Sequence, residues 1–322
     1  MADADIELRP ATLDDAGSVA DLETARTPDE PVAGVMMAYW WTHPTDGQKT
    51  IRLVGERDGA VAVFVEAEHD RWHEHERHFG YVRTGVHPAA WTDSLFREGM
   101  ATGEAWLRSE RGDVAVAAAR EDFHRELALL SEMGYQEERR ERYWELDLEA
   151  RRAELLAMAE KSRADMKRQG IALLTLDRDS DPKTLVKLYE LDLAATRDIP
   201  TTVPIHMSGF ETWSRNYFEN PGIRKDRFWI AKEGDEVVGM SLVSFPPERG
   251  VPSTEFTGTS PQHRGRGIGR ALKYETVAQA IELGATRIRT DNDSANAPIL
   301  HLNEEMGYEP IKAYIELHRK LG

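Results

Sequence analysis

The stretch "TGTSPQHRGRGIGRAL", residues 257–272, carries the densest chemistry of the chain. Glycines 265, 267 and 269 have no Cβ, so the main chain can turn sharply there and approach a ligand closely. The residues that follow have helical character. The N–H groups of the loop therefore converge on a helix N-terminus, a concave site for an anion. Arg264, Arg266 and Arg270 add positive charge, and a pyrophosphate suits the arrangement. A solvated basic turn is the plainer reading of the glycine spacing alone. No G-K-[ST] is present, which argues against a nucleoside triphosphate loop, and a dinucleotide fold would need a parallel sheet with an acidic residue ending a later strand.

Working outward, the opening T-G-x-x-P occurs twice, at Thr84 in "TGVHPAAWTDSLFREG" and at Thr257. A second landmark, "EMGY", ends at Tyr135 and again at Tyr308. Both pairs are 173 positions apart, so the two landmarks keep register without gaps. The pattern predicts a tandem duplication, with one unit at 1–146 and another at 170–322. Between them, "DLEARRAELLAMAEKSRADMKRQG" is rich in helix formers and free of proline until Gly170, which predicts a helical connector over 147–169.

In the second unit, "IALLTL" reads as a strand and "DPKTLVKLYELDLAATR" as a helix. "RFWIAKEGDEVVGMSLVSF" reads as a hairpin turning at Glu233, Gly234 and Asp235, and "TEFTGTS" as a further strand. After the glycine loop come a helix closing at Gly284, the strand "RIRTDN", a helix closing at Gly307 and the strand "IKAYIELH". Interleaved strands and helices imply an α/β class with a mixed sheet.

The 322 residues include 30% charged and 40% hydrophobic side chains, enough apolar material for two cores. The absence of cysteine excludes disulfides, thiolate catalysis and cysteine metal sites. A formal net charge of -16 argues against nucleic acid or an anionic membrane as partner. No apolar run approaches the roughly 20 residues of a membrane span, and "MADADIELRP" has no export pattern, so a cytoplasmic location is expected.

Arg264-x-x-Gly267-x-Gly269 resembles the [QR]-x-x-G-x-[GA] loop of the GNAT N-acetyltransferase superfamily. Downstream, "TDNDSANAPILHLNEEMGY" is similar to that family's closing motif. The resemblance implies two tandem GNAT-like domains, each a mixed, mostly antiparallel sheet flanked by helices. It implies acetyl-CoA or a related acyl-CoA as donor. Its pyrophosphate would lie on the amides of Arg264, Gly265, Arg266, Gly267, Ile268, Gly269 and Arg270. Its pantetheine would run along Thr257, Gly258 and Thr259, and Asn296 would contact the arm. Carried back by 173 positions, Arg264 falls on Trp91, Gly267 on Ser94, Gly269 on Phe96 and Asn296 on Phe123. The first unit is therefore expected to keep the fold and to have lost the loop. The whole chain resembles tandem GNAT proteins.

Acyl transfer to an amine needs a base for the nitrogen's proton and an N–H donor for the thioester oxygen. Glu255, nine residues before Arg264, stands where many members of the family carry a catalytic glutamate. Strand amides from Phe256 to Gly258 would serve the oxygen. The tyrosine that assists the leaving thiolate in the family is replaced by Asn303, which can hydrogen-bond a sulfur but cannot act as an acid. Tyr274 and Tyr308 are the phenols nearby in sequence. The acceptor pocket is expected around Asp192, Asp198, Trp213, Tyr217 and Phe218, whose acidic and aromatic side chains suit a cationic amine or else pack the halves together.

The histidine-rich "EHDRWHEHERHFG" fails the HExxH spacing at Arg77 and reads as a charged hairpin tip, so no metal is expected. "MMAYWW" over Met36–Trp41 reads as packing. The leading expectation is an N-acetyltransferase acting on a small-molecule or peptide amine by direct attack in a ternary complex, as a monomer or homodimer. The alternative is a non-catalytic acyl-CoA-binding or scaffold protein.

Overall fold

The structure is a computed structural model that describes residues 6–70, 76–197, 199, 201–293 and 296–322. The first half runs β1 (Leu8–Pro10), α1 (Ala16–Arg26), α2 (Gly34–Thr42), β2 (Lys49–Arg57), β3 (Ala60–His69) and β4 (Phe79–Val86). It continues through α3 (Asp93–Ser109), β5 (Val114–Arg120), α4 (His124–Glu132) and β6 (Gln136–Asp147). Helix α5 (Arg152–Arg168) follows and stops before Gly170, at the predicted connector.

The second half repeats the order: β7 (Ile171–Thr175), α6 (Thr184–Thr196), α7 (Phe210–Phe218), β8 (Phe228–Glu233), β9 (Glu236–Ser244) and β10 (Ser253–Thr259). Helix α8 (Ile268–Glu282), β11 (Arg287–Asp293), α9 (Ala297–Met306), β12 (Glu309–Pro310) and β13 (Tyr314–Lys320) complete it. The 173-residue spacing holds at element level. Val114 and Arg287 open equivalent strands, and His124 and Ala297 open equivalent helices.

The two landmarks have physical causes. Each T-G-x-x-P stretch ends a strand and starts a short 3-10 turn on its proline, at Pro88 and Pro261. Each M-G-Y ends a helix on a left-handed glycine (φ 92° at Gly134, 83° at Gly307), then buries a tyrosine.

Most neighbouring strands pair antiparallel; β4 with β5 and β10 with β11 are parallel. Strand β9 is covered on both faces, by α8 on one and α6 on the other, and every residue after Glu236 is buried. This explains its near-continuous apolar run.

The two halves do not close separate sheets. Among the described residues one sheet runs β1-β2-β3-β4-β5-β13-β6-β11-β10-β9-β8-β7, with β12 also on β6. Each half lends its last long strand to the other. Strand β13 pairs with β5, Tyr314 opposite Arg120, and β6 pairs with β11, Glu141 opposite Asp293. The 173-residue shift turns one register into the other, so the exchange has pseudo-two-fold symmetry. It brings β6 of the first half against the splayed strands of the second.

Candidate active site

Strands β10 and β11 pair only at Ser253 with Arg289 and Thr254 with Thr290, then diverge. A cavity of about 1270 Å³ fills the gap. Its floor is the β10 run Thr257, Gly258 and Thr259, and Thr257 shares a 2.8 Å hydrogen bond with Ser241. One wall is the whole loop from Arg264 to Arg270, and Asn296, the residue before α9, also lines the cavity. Every residue expected at the donor site thus faces one cavity.

The loop is built to leave main chain open. Gly265 and Gly267 hold φ of 76° and 82°, a left-handed backbone that a side chain resists. Gly267 is the N-cap of α8 and supplies no side-chain cap, so the first turn presents its N–H groups to the cavity end. A Cβ on Gly269 would lie 3.1 Å from Thr259 Oγ1, so a side chain there would crowd the floor. The equivalent helix α3 is sealed instead: Thr92 accepts a hydrogen bond from the amide of Leu95, and Phe96 is buried in the core. A diphosphate therefore fits the second loop and not the first.

The loop's cations are anchored by outer carboxylates. Arg266 makes a two-pronged ion pair with Glu233 at 2.8 and 3.0 Å, and Arg270 reaches Glu305 at 3.1 Å. These pairs are solvent-screened and fix loop shape more than stability.

Glu255 occupies a β-bulge. The β9–β10 register slips between Thr254 and Phe256, while Val82, its counterpart on β4, sits in regular pairing. Bulges re-aim side chains. This one turns the carboxyl into the cavity, where it is open to the cavity space yet enclosed by protein; burial and then the nearby Asp291 push its pKa up to about 7.

Several lining residues were not foreseen. Glu141, from β6 of the first half, also lines the cavity and hydrogen-bonds Asp291. Burial raises both carboxyls; the charge of Asp291 pushes Glu141 up further, whereas the hydrogen bond from Glu141 opposes the rise at Asp291. No signal in "EERRERYW" could have brought it here, because only the strand exchange does so. Met166 and Gln169 of the connector region line the cavity too, and Gln169 donates to the Arg266 carbonyl at 3.2 Å.

Asn303 departs from the expected position. It is fully buried and does not line the cavity, so it cannot meet a leaving sulfur directly. Its amide oxygen accepts from Lys273 Nζ at 2.6 Å and its NH₂ donates to Asn292 at 2.6 Å. Tyr274 donates to Glu305, and neither it nor Tyr308 lines the cavity.

The residues expected around the acceptor have mixed fates. Asp192 is buried beneath the Trp213 indole (2.7 Å) and Tyr217 hydroxyl (3.2 Å), and Trp213 belongs to the core of the second half together with Tyr217 and Phe218. These three rings pack within the second half's own core, not between the two halves as the alternative expected. Helix α7 also meets the first half, where Thr212 donates to Asp46. Asp198 lies outside the described residues, as do His73 and His75. Of the remaining histidines of that stretch, His69 faces Glu110 and His78 the Arg111 carbonyl. Among the described residues no group of three His, Cys, Asp or Glu could hold a metal ion, and no helix is long and apolar enough to cross a membrane. Met36, Met37 and Tyr39 are buried, whereas Trp40 is exposed.

Residues 185–308 match the family model described as acetyltransferase (GNAT) family. A tandem GNAT protein from the clavulanic acid biosynthesis pathway is similar over 99% of both chains, with 17% identity and a TM-score of 0.76. A GCN5-related N-acetyltransferase from Sphaerobacter thermophilus is 19% identical over 98% of this chain and 96% of its own, with a TM-score of 0.68. A glucosamine N-acetyltransferase region of a fungal multi-domain GH3 β-N-acetylglucosaminidase gives a TM-score of 0.71 at 14% identity over 99% of this chain, which spans 38% of that one. At such identities these likenesses concern the fold, and the fold extends through both halves. The second half, over residues 185–308, matches the GNAT acetyltransferase family model, and the fold of a tandem GNAT protein is shared by the whole chain.

Proposed function

We propose that the protein is an acyl-CoA-dependent N-acetyltransferase with one working site, in the second half. The donor's diphosphate is held by the amides of 264–270 and its pantetheine by β10, with Asn296 beside the arm. The bound donor supplies a thioester whose acyl carbon is open to attack. Glu255 accepts the proton of an amine acceptor, directly or through water, and β10 amides from Phe256 to Gly258 polarise the thioester oxygen. Units at 1–146 and 170–322 joined by 147–169 belong to the same reading, supported by the repeated element positions. The carboxyls of Glu255, Glu141 and Asp291 favour a cationic amine of small size or on a peptide, and a cytoplasmic setting suits the donor.

The observation that carries this reading is a bulge-borne carboxyl in the same cavity as an uncapped, glycine-opened helix start. Thiol release from acetyl-CoA with a panel of amines tests it. At least one amine is expected to be acetylated, and Glu255→Gln is expected to slow that release about a hundredfold. Gly267→Trp is expected to abolish acetyl-CoA binding in calorimetry while Ser94→Trp leaves it intact. Binding without turnover on a broad panel, unchanged by Glu255→Gln, would favour a non-catalytic acyl-CoA binder.

A further inference from the structure

We propose that Lys273 is the proton donor to the leaving thiolate, the role left open by Asn303. The inference rests on the acyltransferase reading of this cavity. Lys273 projects from α8, is 1% exposed, and lines the cavity wall. The hydrogen-bond partner of its ammonium is the neutral amide of Asn303, and the ring of Tyr308 lies 4.9 Å away. An ammonium has three N–H donors, so these two contacts leave one for the cavity. Asn303 in turn is pinned by Asn292, which makes it a positioning residue for Lys273 and not a contact to sulfur.

The duplicated fold provides an internal control. At the equivalent positions of the first half Lys273 is Met100, Asn303 is Leu130, Asn292 is Ala119 and Asp291 is Ala118. Met100 and Leu130 are buried. The same helices and strand therefore pack with apolar side chains where the glycine loop is missing. Burying an ammonium against a neutral amide costs stability, and only the half with the open loop carries that cost. The cluster follows the site, not the fold.

Burial brings the Lys273 pKa down to about 7, with Asp291 on β11 opposing the shift. Tyr308 is the other titratable group against it, and burial keeps that phenol neutral. A cation that yields its proton near neutrality matches a thiol, whose ordinary pKa is about 8.5.

The step balances as follows. The acceptor nitrogen forms a bond to the acyl carbon and its proton passes to Glu255. The carbon–sulfur bond breaks, its electron pair goes to sulfur, and the Lys273 ammonium protonates that sulfur. Exchange with water afterwards restores both side chains.

The test measures the thiol pKa of CoA bound to the full-length protein, from thiolate ultraviolet absorbance across pH, with binding followed by calorimetry. In the unaltered protein the bound thiol is expected to ionise at lower pH than free CoA. Lys273→Met, the residue of the sister half, is expected to return it to the free value or above. Lys273→Arg keeps a cation that gives up no proton. It should preserve the lowered thiol pKa yet cut turnover about a hundredfold with an accepted amine. A bound thiol that titrates like free CoA in the unaltered protein overturns the proposal without recourse to any variant. Equal thiol titrations in the protein and in Lys273→Met do the same. Failure of the protein to bind CoA at all overturns the acyltransferase reading beneath it.

Discussion

Glu255 and Lys273 are opposite charges whose burial pulls them toward the same pH, and each leaves a distinct mark on stability. The Glu255 pKa is raised to about 7, so its folded-state penalty is full above that pH and fades as pH falls toward 4.5, the ordinary value. Glu255→Gln should therefore raise the melting temperature at pH 8 and give no gain at pH 4. Lys273, lowered from 10.5 to about 7, behaves in mirror image. Its penalty is full below pH 7 and disappears as pH rises through 10.5, because the unfolded chain then also loses the proton. Lys273→Met should stabilise most in acid and least near pH 10. Thermal melts across pH check both, and parallel curves for the two variants would contradict the opposed signs. Acetyl transfer should follow a bell centred near pH 7, rising as Glu255 becomes a free base and falling as Lys273 loses the proton it donates.

At the scale of elements, helices α3 and α8 are the same element ended in two ways. Thr92 caps the first, whereas the second starts on a left-handed glycine with no side-chain cap. Removal of a cap costs about 1 kcal/mol, so Thr92→Ala should lower stability by roughly that amount and leave donor binding unchanged. Forcing a Cβ into the left-handed region costs about 1–2 kcal/mol, so Gly267→Ala should cost a similar amount of stability and also weaken acetyl-CoA binding. Urea melts with parallel calorimetry separate the two effects. Helix α5 adds a positional role that its composition concealed. Arg163 forks onto the buried carboxylate of Glu275 at 2.7 and 2.8 Å and holds the connector against α8, beside the loop.

The whole molecule is tied together by strand exchange. Strands β6 and β13 each complete the other half's sheet, so neither half has a closed edge alone. Calorimetry should show one cooperative unfolding transition, and two well-separated transitions would contradict the shared sheet. The exchange also delivers Glu141 to the cavity of the second half, which gives the first half a part in the site although its own loop is closed.

How much was legible follows from the range of each interaction. The strand and helix order of the second half, the loop at 264–270, the connector and the 173-residue repeat are written in local periodicity, glycine placement and fixed spacing, which act over a few residues. The bulge at Glu255 was legible as a candidate position and not as a geometry. Lys273 escaped notice because a lysine in a helix of mixed polar and apolar residues gives no local sign that it will be buried, and Asn303 is held away from the cavity by Lys273 of another helix. Sequence alone determined two copies of one topology and a glycine-rich loop before a helix in the second copy only. Tertiary structure decided which last strand joins which sheet, which charges are desolvated and which half supplies Glu141, because pairing and burial depend on segments that lie tens to about two hundred residues apart.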